Sequence, residues 1–340
     1  FDGQINQSEG CSTISDNLGN LLFYTNGMTV WNKNHQIMSN GNGLMGHPSA
    51  SQSAVVVPFP GQNCLKYFIV TVDERNGING VRYSLVDLTL DGGLGDIVTN
   101  QKNIHLFGTN TTESIGVAKH ANGTDFWLIT KPVGIGDFYS YYVSSSGINT
   151  TPSISPTSYV PNANYGSIKV SHDNSIIAAC HNENSSQGGG VFVFNFNDST
   201  GILTQVFQDS EPTIRVSSYS IEFSPDNNIL YFSRTSGIIY QYNLNSNNNV
   251  EFVNSRQVIG ITNNPASASG EKLGALQLAP NGKIYVALLN SSSIGVIENP
   301  NILGTGCNYI DFYQSLGGRL SKLGLPTFAT FNVLPLEITF

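Results

Sequence analysis

Lys169, Glu222 and Gln277 are the residues whose types and spacing could do chemistry together. An ammonium, a carboxylate and a carboxamide recur at intervals of 53 and 55 residues, each inside a short β-rich run that ends in a polar turn. If those runs are equivalent strands of a repeat, alternation along each strand puts the three side chains at comparable positions. They would then face a common channel or an interface between repeats. Such a set could hold a small molecule or a divalent ion, or it could be a hydrated cluster whose polar groups satisfy one another.

Other reactive types are scattered. His47, His120, His172 and His181 invite a metal reading, but no spacing matches HExxH or a facial triad, and His120 and His172 fall at equivalent turns. No GxSxG elbow, phosphate loop or dinucleotide fingerprint occurs, so no organic cofactor is implied. The acidic loops Asp91–Asp96 and Asn195–Gly201 offer oxygens that would suit calcium, although neither follows an EF-hand pattern. Ordinary turn chemistry is the competing reading of both.

The elements that must position these residues follow from internal repetition. Residues 117–130, 168–179, 221–233 and 276–287 share one grammar of β-rich run, polar turn and second β-rich run. Their turn anchors, Asn122, Asp173, Asp226 and Asn281, stand 51, 53 and 55 residues apart. These residue types tolerate the left-handed backbone of tight hairpins. Third strands follow at 191–196, 238–244 and 294–297. The amino-terminal part repeats the theme more loosely, at 13–25 and at 53–71 with 81–88. A period near fifty with this content predicts an all-β fold, a β-propeller of about seven four-stranded antiparallel blades. Six blades are recognisable. A seventh would come from residues 328–340 together with the start of the chain, closing the ring and removing exposed sheet edges. Residues 1–340 are read as one such domain. No convincing 3.6-residue apolar stripe is present, and 35 glycines punctuate the chain.

Charged residues are only 11% of the 340, hydrophobic residues 39%, and the formal net charge is −8. No Lys/Arg cluster exists, which argues against nucleic acid and against anionic membranes as partners. No apolar run approaches the roughly 18 residues of a membrane-spanning helix. Cys11, Cys64, Cys180 and Cys307 form no CxxC pair. Ring closure predicts that Cys11 and Cys307 approach and form a disulfide, with Cys64 and Cys180 unpaired and buried. Aromatic residues outside the alternating pattern, Tyr139, Tyr141, Tyr142, Tyr159, Tyr165 and Tyr219, are candidate platforms for sugar rings.

Several longer motifs, E9-G-C-S-T-I-S-D16, G19-N-L-L-F-Y-T-N-G27, G46-H-P-S-A-S-Q-S-A54 and G274-A-L-Q-L-A-P-N-G-K-I-Y-V286 among them, resemble the WD40/YVTN-type propeller of large secreted Bacteroidota proteins. That resemblance covers essentially the whole chain. It implies export to the cell surface, as part of a larger protein with type IX secretion or gliding-motility domains and often PKD domains, and it makes Phe1 an internal start. It supplies no catalytic residues. The reading is a non-catalytic recognition or adhesion module. Its partners would be a glycan or a surface protein, besides the other domains of its parent chain. The alternatives are a lactonase-like or polysaccharide-acting propeller enzyme with an axial metal, and a scaffold subunit of a secretion or motility assembly.

Overall fold

A computed structural model describes residues 2–61, 65–75, 77–109, 111–157, 165–182, 190–210, 217–265 and 270–329. Strand makes up 50% and helix 5%. The fold is a β-propeller built from four-stranded antiparallel blades. Its residues pack as two compact units.

Unit 1 comprises Phe1–Val160, Asn197–Ile202 and Leu325–Ala329. Its first blade is β1 (Ser12–Ser15), β2 (Leu21–Thr25), β3 (Thr29–Asn32) and β4 (Ile37–Asn42). The second is β5 (Ala54–Pro58), β6 (Lys66–Val72) and β7 (Val81–Asp87), with its outer strand split into β8 (Asp96–Ile97) and β9 (Ile104–Phe107). The third is β10 (Thr111–Lys119), β11 (Phe126–Pro132) and β12 (Asp137–Ser144), again with a split outer strand, β13 (Gly147–Ile148) and β14 (Ser153–Pro156). One parallel pairing, Ser39 with Asp96, joins the outer edges of the first two blades.

Unit 2 comprises Pro161–Phe196 and Leu203–Gly324, with the undescribed carboxyl end. Its blades are β15 (Gly166–Val170) to β18 (Ile202–Asp209), through β16 (Ile176–His181) and β17 (Gly190–Asn197); β19 (Ser218–Phe223), β20 (Ile229–Arg234), β21 (Ile238–Asn243) and β22 (Gln257–Ile261); and β23 (Leu273–Leu278), β24 (Ile284–Leu288), β25 (Ser293–Ile297) and β26 (Tyr309–Ser315). All six repeats read from the sequence are blades, and the third strands fall where the repeat placed them. The seventh blade expected from 328–340 lies outside the described residues beyond Ala329. Just before it, Pro326 bridges Cys11 in parallel, Thr327 N–H donates to the Cys11 carbonyl (2.7 Å) and Ser12 Oγ donates to the Thr327 carbonyl (2.7 Å).

The hairpins form for a local reason that repeats four times. At each anchor the side-chain oxygen accepts the backbone N–H two residues on: Thr124 to Asn122 (3.1 Å), Ser175 to Asp173 (3.0 Å), Asn228 to Asp226 (3.1 Å) and Lys283 to Asn281 (3.1 Å). The next residue takes the left-handed conformation, at φ 77° for Gly123 and 75° for Gly282, 60° for Asn174 and 59° for Asn227. This Asx turn is what Asp and Asn side chains do most readily, and left-handed backbone is what Gly and Asn tolerate.

Packing uses the two faces of each blade. On β20, Leu230 and Phe232 pack with Cys180 and Val193 of the preceding blade. Ile229 and Tyr231, pointing the other way, pack with Leu276, Val286 and Cys307 of the following one. Strands covered on both faces lose polar alternation, which is why Ile229–Phe232 reads as a continuous apolar run. The first strands of successive blades lie side by side, β1 with β5 and β5 with β10 in unit 1, β15 with β19 and β19 with β23 in unit 2.

A short helix, α1 (Asn249–Asn254), escapes the sequence reading. Asn248 caps it by accepting from Glu251 N–H (3.1 Å), and Glu251 reaches back to Asn247 N–H (3.0 Å). An Asn followed three residues later by Glu is the signal that could have found it.

Candidate functional site

A first strand pairs with its own blade on one side only, so its other edge carries backbone N–H groups that need partners. Polar side chains of the preceding blade supply them. Ser167 Oγ accepts Ile221 N–H (3.0 Å) and Ser220 Oγ accepts Leu276 N–H (3.1 Å) in unit 2. Gln52 Oε1 accepts Ile115 N–H (3.0 Å) in unit 1.

Lys169, Glu222 and Gln277 sit on β15, β19 and β23, and the structure brings all three together. Lys169 Nζ donates to Glu222 Oε2 at 2.8 Å and to Gln277 Oε1 at 2.6 Å. Glu222 Oε2 also accepts Leu278 N–H (3.1 Å), and Oε1 accepts Phe223 N–H (3.0 Å). Gln277 Nε2 donates to the Leu278 carbonyl (3.0 Å). The Lys169 side chain is 12% exposed and that of Glu222 4%. Glu222 therefore extends the serine seam: its carboxylate caps the next blade's edge while neutralising the lysine. Three donors converge on it, two at Oε2 and one at Oε1, so most of its acceptor sites are engaged by the framework.

His172, one of the histidines that invited a metal reading, lies at the turn after β15, close enough to feel the charges of Glu222 and Lys169. Its backbone N–H donates to Asn227 Oδ1 (2.9 Å), while its buried Nε2 has no hydrogen-bond partner. Burial lowers its pKa, against the pull of Glu222.

The other candidates separate. Tyr141 is 1% and Tyr219 2% exposed, so neither is the loop aromatic expected of it. Both lie within strands, β12 and β19, at buried positions. Tyr165 is half-buried with its ring 6.2 Å from that of Tyr219. Tyr139 stands edge-on to Phe107 at 4.8 Å. Tyr142, half-buried, donates its hydroxyl to Asp125 and packs with His120 and Trp127. Tyr159 and Cys64 lie outside the described residues.

Cys11, Cys180 and Cys307 are free thiols, so the expected bond between Cys11 and Cys307 is not formed. Cys307 is buried against Tyr231 and Val286, ahead of the outermost strand of its sheet. Cys11 precedes the innermost strand of its own, and the residue that reaches it is Pro326.

The acidic loops differ: Asp91 and Asp96 bond to β4 of the first blade, and Asn197 closes its own turn. Asp91 accepts from Ser39 (2.9 Å) and Asp96 from Asn40 (2.9 Å), while Asn197 Oδ1 accepts Ser199 and Thr200 N–H (both 3.1 Å). Among the described residues no three His, Cys, Asp or Glu side chains form a group that could hold a metal ion.

One buried acid was not anticipated. Glu113, on β10, accepts Ser51 N–H (3.0 Å), Ser51 Oγ (3.1 Å) and Arg75 N–H (3.2 Å). Burial nevertheless pushes its pKa up to about 7, with Glu74 adding to the rise.

No family model matches the chain, and no curated protein matches it. Solved structures do. A candidate 6-phosphogluconolactonase from Bacteroides uniformis aligns with a TM-score of 0.49 and 13% identity, over 92% of this chain and 96% of that one. Hydrazine synthase from Kuenenia stuttgartiensis aligns with a TM-score of 0.52 and 10% identity, over 86% and 77%. At such identities the likeness is one of fold and brings no activity with it.

Proposed function

We propose that this propeller is a non-catalytic recognition or adhesion module displayed outside the cell, whose partner is a glycan or a surface protein. One observation carries the reading. Where three successive first strands deliver their polar side chains to one place, the acid is ion-paired to Lys169 and accepts the backbone N–H groups of Leu278 and Phe223. A general base or nucleophile needs a lone pair aimed at substrate. Glu222 turns most of its own to the framework. Rigid blades joined by such seams suit a scaffold that presents a surface, the usual arrangement when binding groups ride on a fixed core. The secreted location rests on the sequence motifs.

The test compares wild type with Glu222→Gln. Both are screened for hydrolysis of lactones and polysaccharides, with and without divalent metal, and for retention on glycan arrays and on immobilised surface proteins. Retention that survives Glu222→Gln, without turnover in either protein, is the expected result. Metal-dependent turnover abolished by Glu222→Gln would overturn the reading in favour of an axial enzyme.

A further inference from the structure

Within unit 1, a cavity of about 300 Å³ opens between β6 and β7 of the second blade and the β13 turn of the third. Phe59, Phe68 and Tyr83 form its aromatic wall. The Phe59 and Phe68 rings stack at 4.9 Å, and Phe68 meets Tyr83 edge-on at 5.6 Å. Phe68 is buried, whereas Phe59 and Tyr83 are half-buried and present ring surface to the cavity. Facing them are the side chains of Gln101, Lys66 and Ser146.

The wall also carries polar groups. The Tyr83 hydroxyl and the Gln101 carboxamide make no side-chain hydrogen bond to any described residue, and both lie on the wall. Partial burial raises the Tyr83 pKa. Lys66 is neutralised by Asp87 at 3.1 Å but keeps ammonium hydrogens to donate.

We infer that this cavity is a binding site for a small neutral saccharide, with ring carbons against Phe59 and Tyr83 and ring hydroxyls on Gln101, Tyr83 and Lys66. This rests on the recognition reading and names its ligand class. Sugars combine an apolar CH face with a rim of hydroxyls that both donate and accept. The wall offers an aromatic surface beside an amide, a phenol and an ammonium, which match that pattern. Charge selects among sugars. The Lys66–Asp87 pair leaves the cavity electrically balanced, and the chain as a whole carries −8, which repels uronates and sulfated glycans. The volume lies at the small end of ligand pockets, so it suits one or two rings of a chain terminus.

The experiment titrates wild type, Tyr83→Ala, Tyr83→Phe and Gln101→Ala with neutral hexose and N-acetylhexosamine oligosaccharides and with uronate and sulfated ones. Circular dichroism and unfolding midpoints check the fold of each variant. Expected is retention of a neutral glycan, weakened at least tenfold by Tyr83→Ala and several-fold by Gln101→Ala. Tyr83→Phe, which keeps the ring, isolates the hydroxyl should Tyr83→Ala fold poorly, and is expected to cost several-fold. Neutral-glycan binding unchanged in Tyr83→Phe and Gln101→Ala would overturn the site while leaving the recognition reading intact. Retention of acidic glycans only, or of a protein partner without any glycan, would overturn the ligand class and again spare that reading. A wild type that retains nothing and turns over substrate would overturn both.

Discussion

Lys169 donates a 2.8 Å hydrogen bond to Glu222 across 53 residues of sequence, from the first strand of one blade to the first strand of the next. The same lysine reaches Gln277 a further blade on, 108 residues away. One cation thus ties three successive blades.

Removing the cation leaves Glu222 buried among backbone donors without its counter-charge. Breaking a buried ion pair from one side typically costs roughly 3–5 kcal/mol. Lys169→Met is therefore expected to lower the urea-unfolding free energy by an amount in that range. Lys169→Met combined with Glu222→Gln is expected to be less destabilised than the two single changes added together. Strict additivity in the double-mutant cycle would show that the pair contributes nothing specific.

Glu113 makes stability fall with rising pH. Its folded pKa, about 7, lies above the ordinary value of 4.5, so between these limits the folded state holds more of the proton than the unfolded chain. Its contribution is full below about 4.5 and is lost as pH rises through about 7, on the order of 3 kcal/mol in all. Unfolding midpoints at pH 5 and pH 8, at constant ionic strength, are expected to show this fall in wild type and a flatter profile in Glu113→Gln. His172 works in the opposite direction, because its pKa is lowered. A Glu113→Gln profile that overlays wild type would refute the assignment.

Lys131 acts above neutrality. Its ammonium lies 4.4 Å over the Phe138 ring, and burial lowers its pKa to about 7 from the ordinary 10.5, against the pull of Asp137. A depressed lysine pKa disfavours the folded state where the unfolded chain is still protonated. Stability is therefore expected to rise as pH increases from about 7 to about 10.5, by on the order of 5 kcal/mol. Lys131→Met is expected to abolish that rise. Chemical denaturation at pH 7, 8.5 and 10 measures it, and an identical slope in the variant would count against the buried lysine as its source.

Much of the architecture was legible because it is local. Asn122, Asp173, Asp226 and Asn281 each close their hairpin with a hydrogen bond to the residue two places on, so the turn chemistry and its period are written in adjacent residues. The equivalence of Lys169, Glu222 and Gln277 follows from that period. The helix at Asn249–Asn254 was equally local and went unread only because its capping signal is a single turn long.

What the three polar residues do at their equivalent positions was decided in three dimensions. How far Glu222 is engaged by the framework depends on Leu278 N–H, which comes from another blade. The fates of Tyr141 and Tyr219 depend on which sheet covers their strand, and period-two alternation does not tell an exposed face from one that a neighbour will bury. The chain return that meets Cys11 is made by Pro326 rather than Cys307, because an outer strand intervenes and sequence separation does not measure it. The cavity beside Tyr83 has no signature at all in the sequence. Phe59, Phe68, Gln101 and Ser146 belong to two blades, and only their packing leaves a gap lined by aromatic rings with a hydroxyl and an amide beside them. The sequence alone determined the hairpins, their period and the positions that correspond, since those rest on interactions within a few residues. Tertiary structure determined burial, partnership and protonation, since those rest on groups some fifty residues apart along the chain.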